Sequence, residues 1–243
     1  MKNSIVTEAL TKKYGDITAV DGLNLEVKHG ELISLLGVNG AGKTTTIKML
    51  TCLTKPTSGD ALLNGKSILE DSASVKSIIA VSPQETAVAP GLTVLENLEL
   101  MCGIYGLDKK KSAEKIEELT DRLSLSKVIS RKAGKLSGGW QRRLSIAMAL
   151  ISEPDILFLD EPTLGLDVIA RSELWDIISS LKGDVTVVLT THYMEEAEAL
   201  SDRIAIMSNG RLLLCDTTEN IKKLTGKASI EQAFISIVKE GEK

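Results

Sequence analysis

The stretch LISLLGVNGAGKTT, residues 32–45, runs from a mostly apolar segment through a glycine-rich loop into a helical pattern. It contains the pattern G-x-x-x-x-G-K-[ST], which ends here on Lys43 and Thr44. In such a loop, glycines let backbone N–H groups point at a phosphate, and the helix N-terminus adds its positive end. Lys43 supplies a charge for phosphate oxygens, and the Thr44 hydroxyl can ligate Mg²⁺. Unless it is an ordinary strand-to-helix turn, the stretch predicts a nucleotide-phosphate site.

Strands and helices alternate on both sides of this loop. Strand character is found in residues 23–27, 32–36, 78–81, 156–159 and 185–189, and in a hairpin of residues 203–207 and 212–215 across the turn Asn209-Gly210. Helical patterns lie between them, among them a capping box from Thr93 to Glu96 and an apolar face on residues 174–181. This alternation predicts an α/β fold with a mainly parallel sheet.

The segment of about residues 87–152 differs from the rest, because it is helical by pattern and contains no convincing strand. We interpret it as a helical subdomain inserted into an α/β core of about residues 1–86 and 153–215. Residues 216–243 form a helical tail, in which Ile230, Phe234 and Ile237 indicate a short amphipathic helix. The chain, residues 1–243, is thus predicted to be one domain with an insertion and a tail.

The composition disfavours several classes of protein. Of the 243 residues, 29 are Lys or Arg and 33 are Asp or Glu, a formal net charge of −4, which argues against nucleic acid as a partner. The three cysteines lack the spacing of a zinc site or a disulfide framework, which fits a reducing cytosol. No apolar run approaches the length of a membrane span, and residues 1–16 lack a signal-peptide core. We therefore expect a cytoplasmic chain, unless a partner tethers it to a membrane.

An apolar strand that ends in two acids, residues 156–161, has the arrangement of a Walker B segment. Successive side chains on a strand point in opposite directions, so Asp160 and Glu161 should not hold the same ligand in the same way. Asp160 is the better partner for Mg²⁺, through a water molecule. Glu161 has the reach to accept the proton of a water that attacks a γ-phosphate. The alternative is a strand end closed by acids before Pro162.

A second glycine-rich helix start, the LSGG of residues 136–139, precedes a helical stretch over residues 140–150. It places a capping serine and two glycines at another anion-binding helix end, which one nucleotide in one chain rarely needs. Together with the phosphate loop and the LDEP of residues 159–162, this segment resembles the signature of the ATP-binding cassette (ABC) family. The resemblance implies that Ser137, Gly138 and Gly139 hold the γ-phosphate of an ATP bound to the phosphate loop of a second copy.

The same resemblance implies roles for residues outside these motifs. Gln84 resembles the Q-loop glutamine, which contacts Mg²⁺ and the attacking water, and His192 resembles the switch histidine, which contacts the γ-phosphate. Tyr14 matches the aromatic residue that stacks on adenine, and Asp167 resembles the D-loop acid at the dimer interface. By themselves, Gln84, His192 and Tyr14 would be a solvated loop residue, a surface or structural histidine and a packing tyrosine. The implied nucleotide contacts of the phosphate loop are Asn39, Gly40, Ala41, Gly42, Lys43, Thr44 and Thr45, and the implied Mg²⁺ partners are Thr44, Gln84 and Asp160.

The resemblance extends over about residues 5–215 and implies an ATPase that uses ATP and Mg²⁺. The implied fold is a P-loop NTPase core with a mainly parallel sheet, an antiparallel β subdomain and the inserted helical subdomain. ATP held between two copies, or between this chain and a paralogous cassette, would close a dimer that hydrolysis releases. In transporters of the family, a helix of a separate permease docks near the Q-loop. Residues 84–94 are the candidate surface, at the inner face of the cell membrane.

The direction of transport is indicated by three segments. The tail, the TTT of residues 44–46 and the TLGLD of residues 163–167 are similar to those of ATP-binding subunits of drug, antibiotic and sodium-ion exporters. For the tail, the alternative is a plain packing helix shared by many branches. A cohesin-like or repair ATPase is disfavoured, because only 94 residues separate Lys43 from Ser137 and leave no room for a long coiled coil. The remaining alternative is a soluble, non-transport ABC ATPase that serves as a scaffold or assembly factor.

Overall fold

The structure is a computed structural model and describes residues 2–241. In chain order its strands are β1 (Asn3–Tyr14), β2 (Ile17–Lys28), β3 (Leu32–Leu36), β4 (Ser58–Leu63), β5 (Lys66–Ser67), β6 (Ile79–Ser82), β7 (Ile156–Asp160), β8 (Thr186–Thr191), β9 (Arg203–Ser208) and β10 (Arg211–Asp216). Its α-helices are α1 (Lys43–Leu50), α2 (Ser72–Lys76), α3 (Val94–Ile104), α4 (Lys109–Arg122), α5 (Gly138–Leu150), α6 (Val168–Ser179), α7 (Met194–Leu200), α8 (Thr218–Thr225) and α9 (Ile230–Gly241). Within this described range, every helix is too short or too polar to cross a bilayer.

Six strands form the central sheet, in the order β10-β9-β3-β8-β7-β6. All neighbouring strands are parallel except β9 and β10, which form the predicted hairpin. Every residue of β3, β7 and β8 is buried, as expected for a parallel sheet that is covered on both faces. The carboxyl ends of parallel strands share one edge, so the residues that follow β3, β6, β7 and β8 come together there. The predicted α/β fold with a mainly parallel sheet is confirmed.

A second sheet, in the order β2-β1-β4-β5, is antiparallel, as the resemblance implies. Three of its strands, β1, β4 and β5, were not recognised in the sequence. In β1 the chain bulges at Ala9, whose φ is 46°, and the register with β2 shifts between Thr7 and Leu10. Polar and apolar residues therefore do not alternate along the whole strand, and its period of two is lost. The two sheets share one apolar core with α1, which includes Leu25, Ile33, Ile47, Leu63 and Phe158.

Three helices, α3, α4 and α5, lie between β6 and β7, and in the described residues no strand interrupts them. The predicted capping box is confirmed: Glu96 Oε2 accepts from the Thr93 N–H at 2.7 Å, and the Glu96 N–H donates to Thr93 Oγ1 at 3.2 Å. The helices share an apolar core with the other face of the central sheet, which includes Leu98, Leu119, Leu144 and Leu157. The boundaries of this segment as a subdomain, residues 87–152, stay a prediction.

The C-terminal tail closes one end of the central sheet. The predicted amphipathic helix is confirmed as α9, in which Ile230 and Phe234 are buried and Ile237 is partly buried. These side chains pack with Ile221 of α8 and Ile206 of β9. The tail therefore covers the hairpin edge of the sheet, and none of its described residues lines the candidate site.

Candidate functional site

The phosphate loop joins β3 to α1 and depends on two close backbone contacts. A Cβ atom on Gly37 would lie 2.6 Å from the Met207 carbonyl oxygen, and one on Gly42 would lie 2.5 Å from the Ala19 carbonyl oxygen. Gly42 also has a φ of 101°, which side chains rarely allow. The loop's backbone hydrogen bond into α1 runs from the Thr46 N–H to the Gly42 carbonyl at 2.9 Å, so earlier N–H groups point out of the helix end. This is the cradle that the sequence pattern predicts.

Lys43 holds a buried charge at this cradle. Its side chain is 5% exposed, and its Nζ donates to the carbonyls of Gly37 at 2.7 Å and Val38 at 3.2 Å. Nζ also lies 3.8 Å from Oε1 of Glu161. Burial lowers the pKa of Lys43, and the charges of Glu161 and Asp160 oppose that change. A cation that is removed from water but incompletely paired is suited to bind an anion.

Asp160 ends β7 and faces the start of α1. Its Oδ1 accepts a hydrogen bond from Thr190 Oγ1 at 2.5 Å and lies 3.4 Å from Thr44 Oγ1. The structure therefore brings together Thr44 and Asp160, two of the predicted Mg²⁺ partners. Their hydroxyl and carboxylate oxygens are the ligands that Mg²⁺ prefers, and Mg²⁺ is usually held by one or two carboxylates with substrate phosphates. These residues fit the predicted metal.

Glu161 directly follows the last residue of β7 and already lies in a turn. The prediction that both acids lie on one strand is therefore wrong. β7 ends at Asp160, and Glu161 has a φ of 47°, in the left-handed region. Its N–H donates to the Thr190 carbonyl at 3.1 Å and to Thr190 Oγ1 at 3.0 Å, which holds the turn. Such a conformation costs about 1–3 kcal/mol in a non-glycine residue and is typical of functional sites. The two carboxylates still point at different partners, as expected.

His192 follows β8 and faces the same carboxylate. Its Nδ1 lies 3.2 Å from Oε1 of Glu161, and its ring centroid lies 4.2 Å from that of Tyr193. The side chain is 30% exposed, so part of it remains accessible. Lys43, Glu161 and His192 thus converge on one point, although they come from three different segments of the chain.

A cavity of about 840 Å³ opens over these groups. The predicted site residues that line it are Tyr14, Asn39, Gly40, Ala41, Gly42, Lys43, Thr44, Thr45, Gln84, Glu161 and His192. Sequence reasoning missed five further lining residues, which are Ile17, Thr18, Ala19, Leu164 and Asn209. For Asn209 a signal was present, since Asn209-Gly210 was recognised as a hairpin turn. Ile17 to Ala19 carry no motif, and they are placed here by close backbone contacts of Gly42 and Gly210 with Ala19.

Gln84 is tied to the helical segment by a residue that the sequence did not single out. Both terminal nitrogens of Arg142 donate at 2.6 Å, one to the Pro83 carbonyl and one to the Gln84 carbonyl. Arg142 lies on α5 and is 5% exposed, and its burial lowers its pKa. The arginine therefore connects the cavity wall directly to the helix that begins after Ser137.

Ser137, Gly138, Gly139 and Asp167 lie outside the cavity lining, and all of them except Gly139 are exposed. Ser137 is exposed and is the N-cap residue of α5, but its side chain accepts no hydrogen bond from that helix, so the predicted side-chain cap is wrong. α5 begins at Gly138 instead of Trp140, which leaves the glycine N–H groups at an uncapped helix end. A Cβ on Gly139 would lie 3.0 Å from the Ala170 Cβ, one turn after Asp167. The signature segment and the Asp167 loop are therefore neighbours.

The family model described as ABC transporter matches residues 20–164, more than half of the chain. The chain is 41% identical over 246 aligned residues to "Probable multidrug ABC transporter ATP-binding protein YbhF" of Escherichia coli (strain K12); the match covers 98% of this chain but only 42% of that protein. It is 38% identical to "Doxorubicin resistance ATP-binding protein DrrA" of Mycobacterium tuberculosis (strain CDC 1551 / Oshkosh), over 94% of this chain and 70% of that protein.

The comparison with solved structures also identifies an ATP-binding cassette. The chain is similar to the structure described as "Dimeric structure of a post-hydrolysis state of the ATP-binding cassette MJ0796 bound to ADP and Pi", with a TM-score of 0.77 and 29% identity. That match covers 88% of this chain and 98% of the solved one. With the phosphate loop, the Walker B acids and the LSGG helix end in the family's order, this chain belongs to the ABC transporter family and carries its ATP-binding cassette.

Proposed function

We propose that this cassette hydrolyses ATP between two copies and so powers export through a separate membrane-spanning subunit. One observation carries the proposal. The exposed helix end at Ser137 does not line the cavity that contains Lys43, Glu161 and His192. The start of α1 in the cavity and the start of α5 at Ser137 nevertheless both have the geometry of an anion site. Two half-sites on different surfaces of one chain become one complete site when a second copy supplies the missing half.

Within that site, the residues of this chain divide the work. Tyr14, 48% exposed at the end of β1, offers a face to the base, and residues 39–45 surround the phosphates. Thr44, Asp160 and Gln84 would hold Mg²⁺, which neutralises phosphate charge when it is bound. Glu161 accepts the proton of the attacking water, and His192 donates a hydrogen bond to the γ-phosphate. Asp167 and the residues 137–139 would contact the nucleotide of the partner copy.

Export is favoured over import by the names of the relatives, which are multidrug and doxorubicin resistance ATP-binding proteins. The chain spans less than half of the first of these, so substrate and permease are carried over only as classes. The second candidate is a non-transport ABC ATPase. Co-purification of the full chain with a membrane protein from detergent extracts would support transport, and its consistent absence would favour the second candidate.

The composite site predicts complementation between two inactive variants. We expect Lys43→Ala and Ser137→Arg each to be inactive, because the first lacks the phosphate lysine and the second blocks the partner's nucleotide. Ser137 is exposed, so the larger side chain leaves the core intact. In an equal mixture, half of the dimers contain one copy of each variant, and each of these mixed dimers has one complete site out of two. Phosphate release should therefore recover to about a quarter of the wild-type rate. A mixture as inactive as its components would contradict a site shared between copies.

His192 is predicted to act on hydrolysis more than on binding. We expect His192→Ala to lower kcat by roughly 10²–10⁴, the usual effect of removing a group that handles protons or developing charge. The Kd for ATP should change far less, because the phosphate loop and Lys43 remain. The matched control is His29→Ala, which removes the other histidine from an exposed turn. Normal turnover of the His192 variant, measured by phosphate release, would remove this residue from the site.

A further inference from the structure

A cluster of polar side chains lies behind His192, between α6 and α7. Its centre is Glu196, on the first turn of α7, whose side chain is fully buried. The Trp175 indole N–H, from α6, donates to Glu196 Oε1 at 3.2 Å. Neither residue lines the nucleotide cavity. A buried carboxyl group is costly unless other polar groups compensate it, so its presence here needs a physical reason.

The groups around Glu196 come from both loops that border the site. Burial raises the pKa of Glu196, and the hydroxyls of Thr191 and Thr163, the Trp175 indole and the charge of Arg171 oppose that rise. Thr191 directly precedes His192, and Thr163 lies between Glu161 and Asp167. Among residues 2–241, the Oε2 atom of Glu196 and the Oγ1 atom of Thr163 are both buried and make no hydrogen bond. The carboxyl group therefore faces hydroxyls of both loops, while its one hydrogen bond in the described part of the chain is the bond from Trp175.

A second connection joins the same elements on the side of the aromatic rings. The Arg171 guanidinium lies 4.8 Å from the centroid of the Tyr193 ring, which in turn lies 4.2 Å from that of the His192 ring. The Arg171 N–H donates to the Asp167 carbonyl at 2.9 Å, one turn back along α6. A continuous set of contacts thus leads from Asp167, where α6 begins, to His192.

We propose that Glu196 is a positioning residue, which fixes the His192 loop and the loop before Asp167 to α6. When a second copy contacts Asp167, this contact would then influence the position of His192 in the same chain through α6 and Glu196. The inference rests on the proposed function, since it assumes that a second copy meets Asp167 and that His192 acts on the nucleotide. An apolar residue of similar size could fill the same space at less cost, but it could neither accept the hydrogen bond of Trp175 nor present a polar group to the hydroxyls of Thr163 and Thr191.

The test compares Glu196→Ala and Glu196→Gln with Glu195→Ala, which removes the exposed neighbour on the same helix. We expect Glu196→Ala to lower kcat by about tenfold or more, because small displacements of a positioned group have large kinetic effects. The Kd for ATP should stay within about twofold, since the phosphate loop is untouched. Glu196→Gln should keep most of the activity, because the amide can still accept from Trp175 and donate to a threonine, and Glu195→Ala should match the wild type.

A direct readout is available because the chain has only two histidines, His192 and the exposed His29. In NMR spectra of the full chain, Glu196→Ala should shift or broaden the His192 ring resonances and leave those of His29 unchanged. Unchanged His192 resonances together with a normal kcat, even with a lowered Tm, would overturn the proposal. A Glu196→Gln variant as slow as Glu196→Ala would overturn it as well.

If Glu196→Ala does not fold, Trp175→Phe tests the same contact, since it removes the indole donor but keeps an aromatic ring. A smaller loss in kcat and a shift of the His192 resonances are then expected, and no change in either would overturn the proposal. Failure of the proposed function has a different signature. A wild-type chain that binds ATP but neither hydrolyses it nor dimerises would contradict the ATPase cycle, whereas the effect of Glu196 on the His192 resonances can be measured in either case.

Discussion

Replacing Glu161 with Gln is expected to abolish ATP turnover, to leave ATP binding intact and to trap a dimer with ATP between its two copies. The amide has the size and shape of the carboxyl group, so the turn at Glu161 and its backbone bonds to Thr190 should persist. It cannot accept the proton of the attacking water, and kcat should fall by roughly 10²–10⁴. The loss of a negative charge near the phosphates removes a repulsion, which favours the ATP-bound state.

Two measurements check this expectation. Phosphate release gives the turnover, and size-exclusion chromatography with ATP and Mg²⁺ gives the oligomeric state. Glu70→Gln, the same change at an exposed glutamate between β5 and α2, is the matched control and should behave like the wild type. If Glu161→Gln turned over ATP normally, Glu161 would not be the base. A variant that stayed monomeric with ATP would count against closure of a dimer by the nucleotide.

The parts of the site that could be predicted from the sequence are those whose signals are local. The phosphate loop is contained in one strand–loop–helix unit, so Lys43 and Thr44 followed from a short pattern. Gln84, Glu161 and His192 are distant in sequence, but they follow β6, β7 and β8, whose carboxyl ends share an edge. In the sequence, Gln84 and His192 were singled out only by the resemblance to the ABC family, and it is the structure that shows them together with Glu161 at this edge.

The parts that could not be predicted depend on contacts between segments. The left-handed turn at Glu161 is held by Thr190 on the neighbouring strand, and no pattern within residues 156–161 indicates it. Arg142 occupies an ordinary helical position, and its bonds to the Pro83 and Gln84 carbonyls follow only from the packing of α5 on β6. Ser137 has the residue type and position of an N-cap, but its side chain does not bond back, which residue type alone does not reveal.

The surroundings of the Lys43 ammonium group explain why this residue should control the affinity for ATP. In the structure, its ammonium group bonds to two carbonyls of its own loop and lies 3.8 Å from Glu161. These partners only partly replace the water that burial removes, as the lowered pKa indicates. Phosphate oxygens would provide charge-assisted hydrogen bonds at the same place, and such bonds are about twice as strong as neutral ones. The lysine is thus expected to gain further stabilisation when a nucleotide enters.

Lys43→Ala is therefore expected to weaken ATP binding itself. Loss of hydrogen bonds to a charged group costs about 1.5–3 kcal/mol, which corresponds to a rise in Kd of roughly 10- to 150-fold. The increase in Tm that saturating ATP gives the wild type should shrink accordingly, because ligand stabilisation depends on the ratio of ligand concentration to Kd. Lys48→Ala, an exposed lysine later on the same helix, is the control and should bind ATP normally. Unchanged ATP affinity in Lys43→Ala, measured by calorimetry, would mean that the phosphates do not lie against this lysine, and the assignment of the cavity to ATP would fail with it.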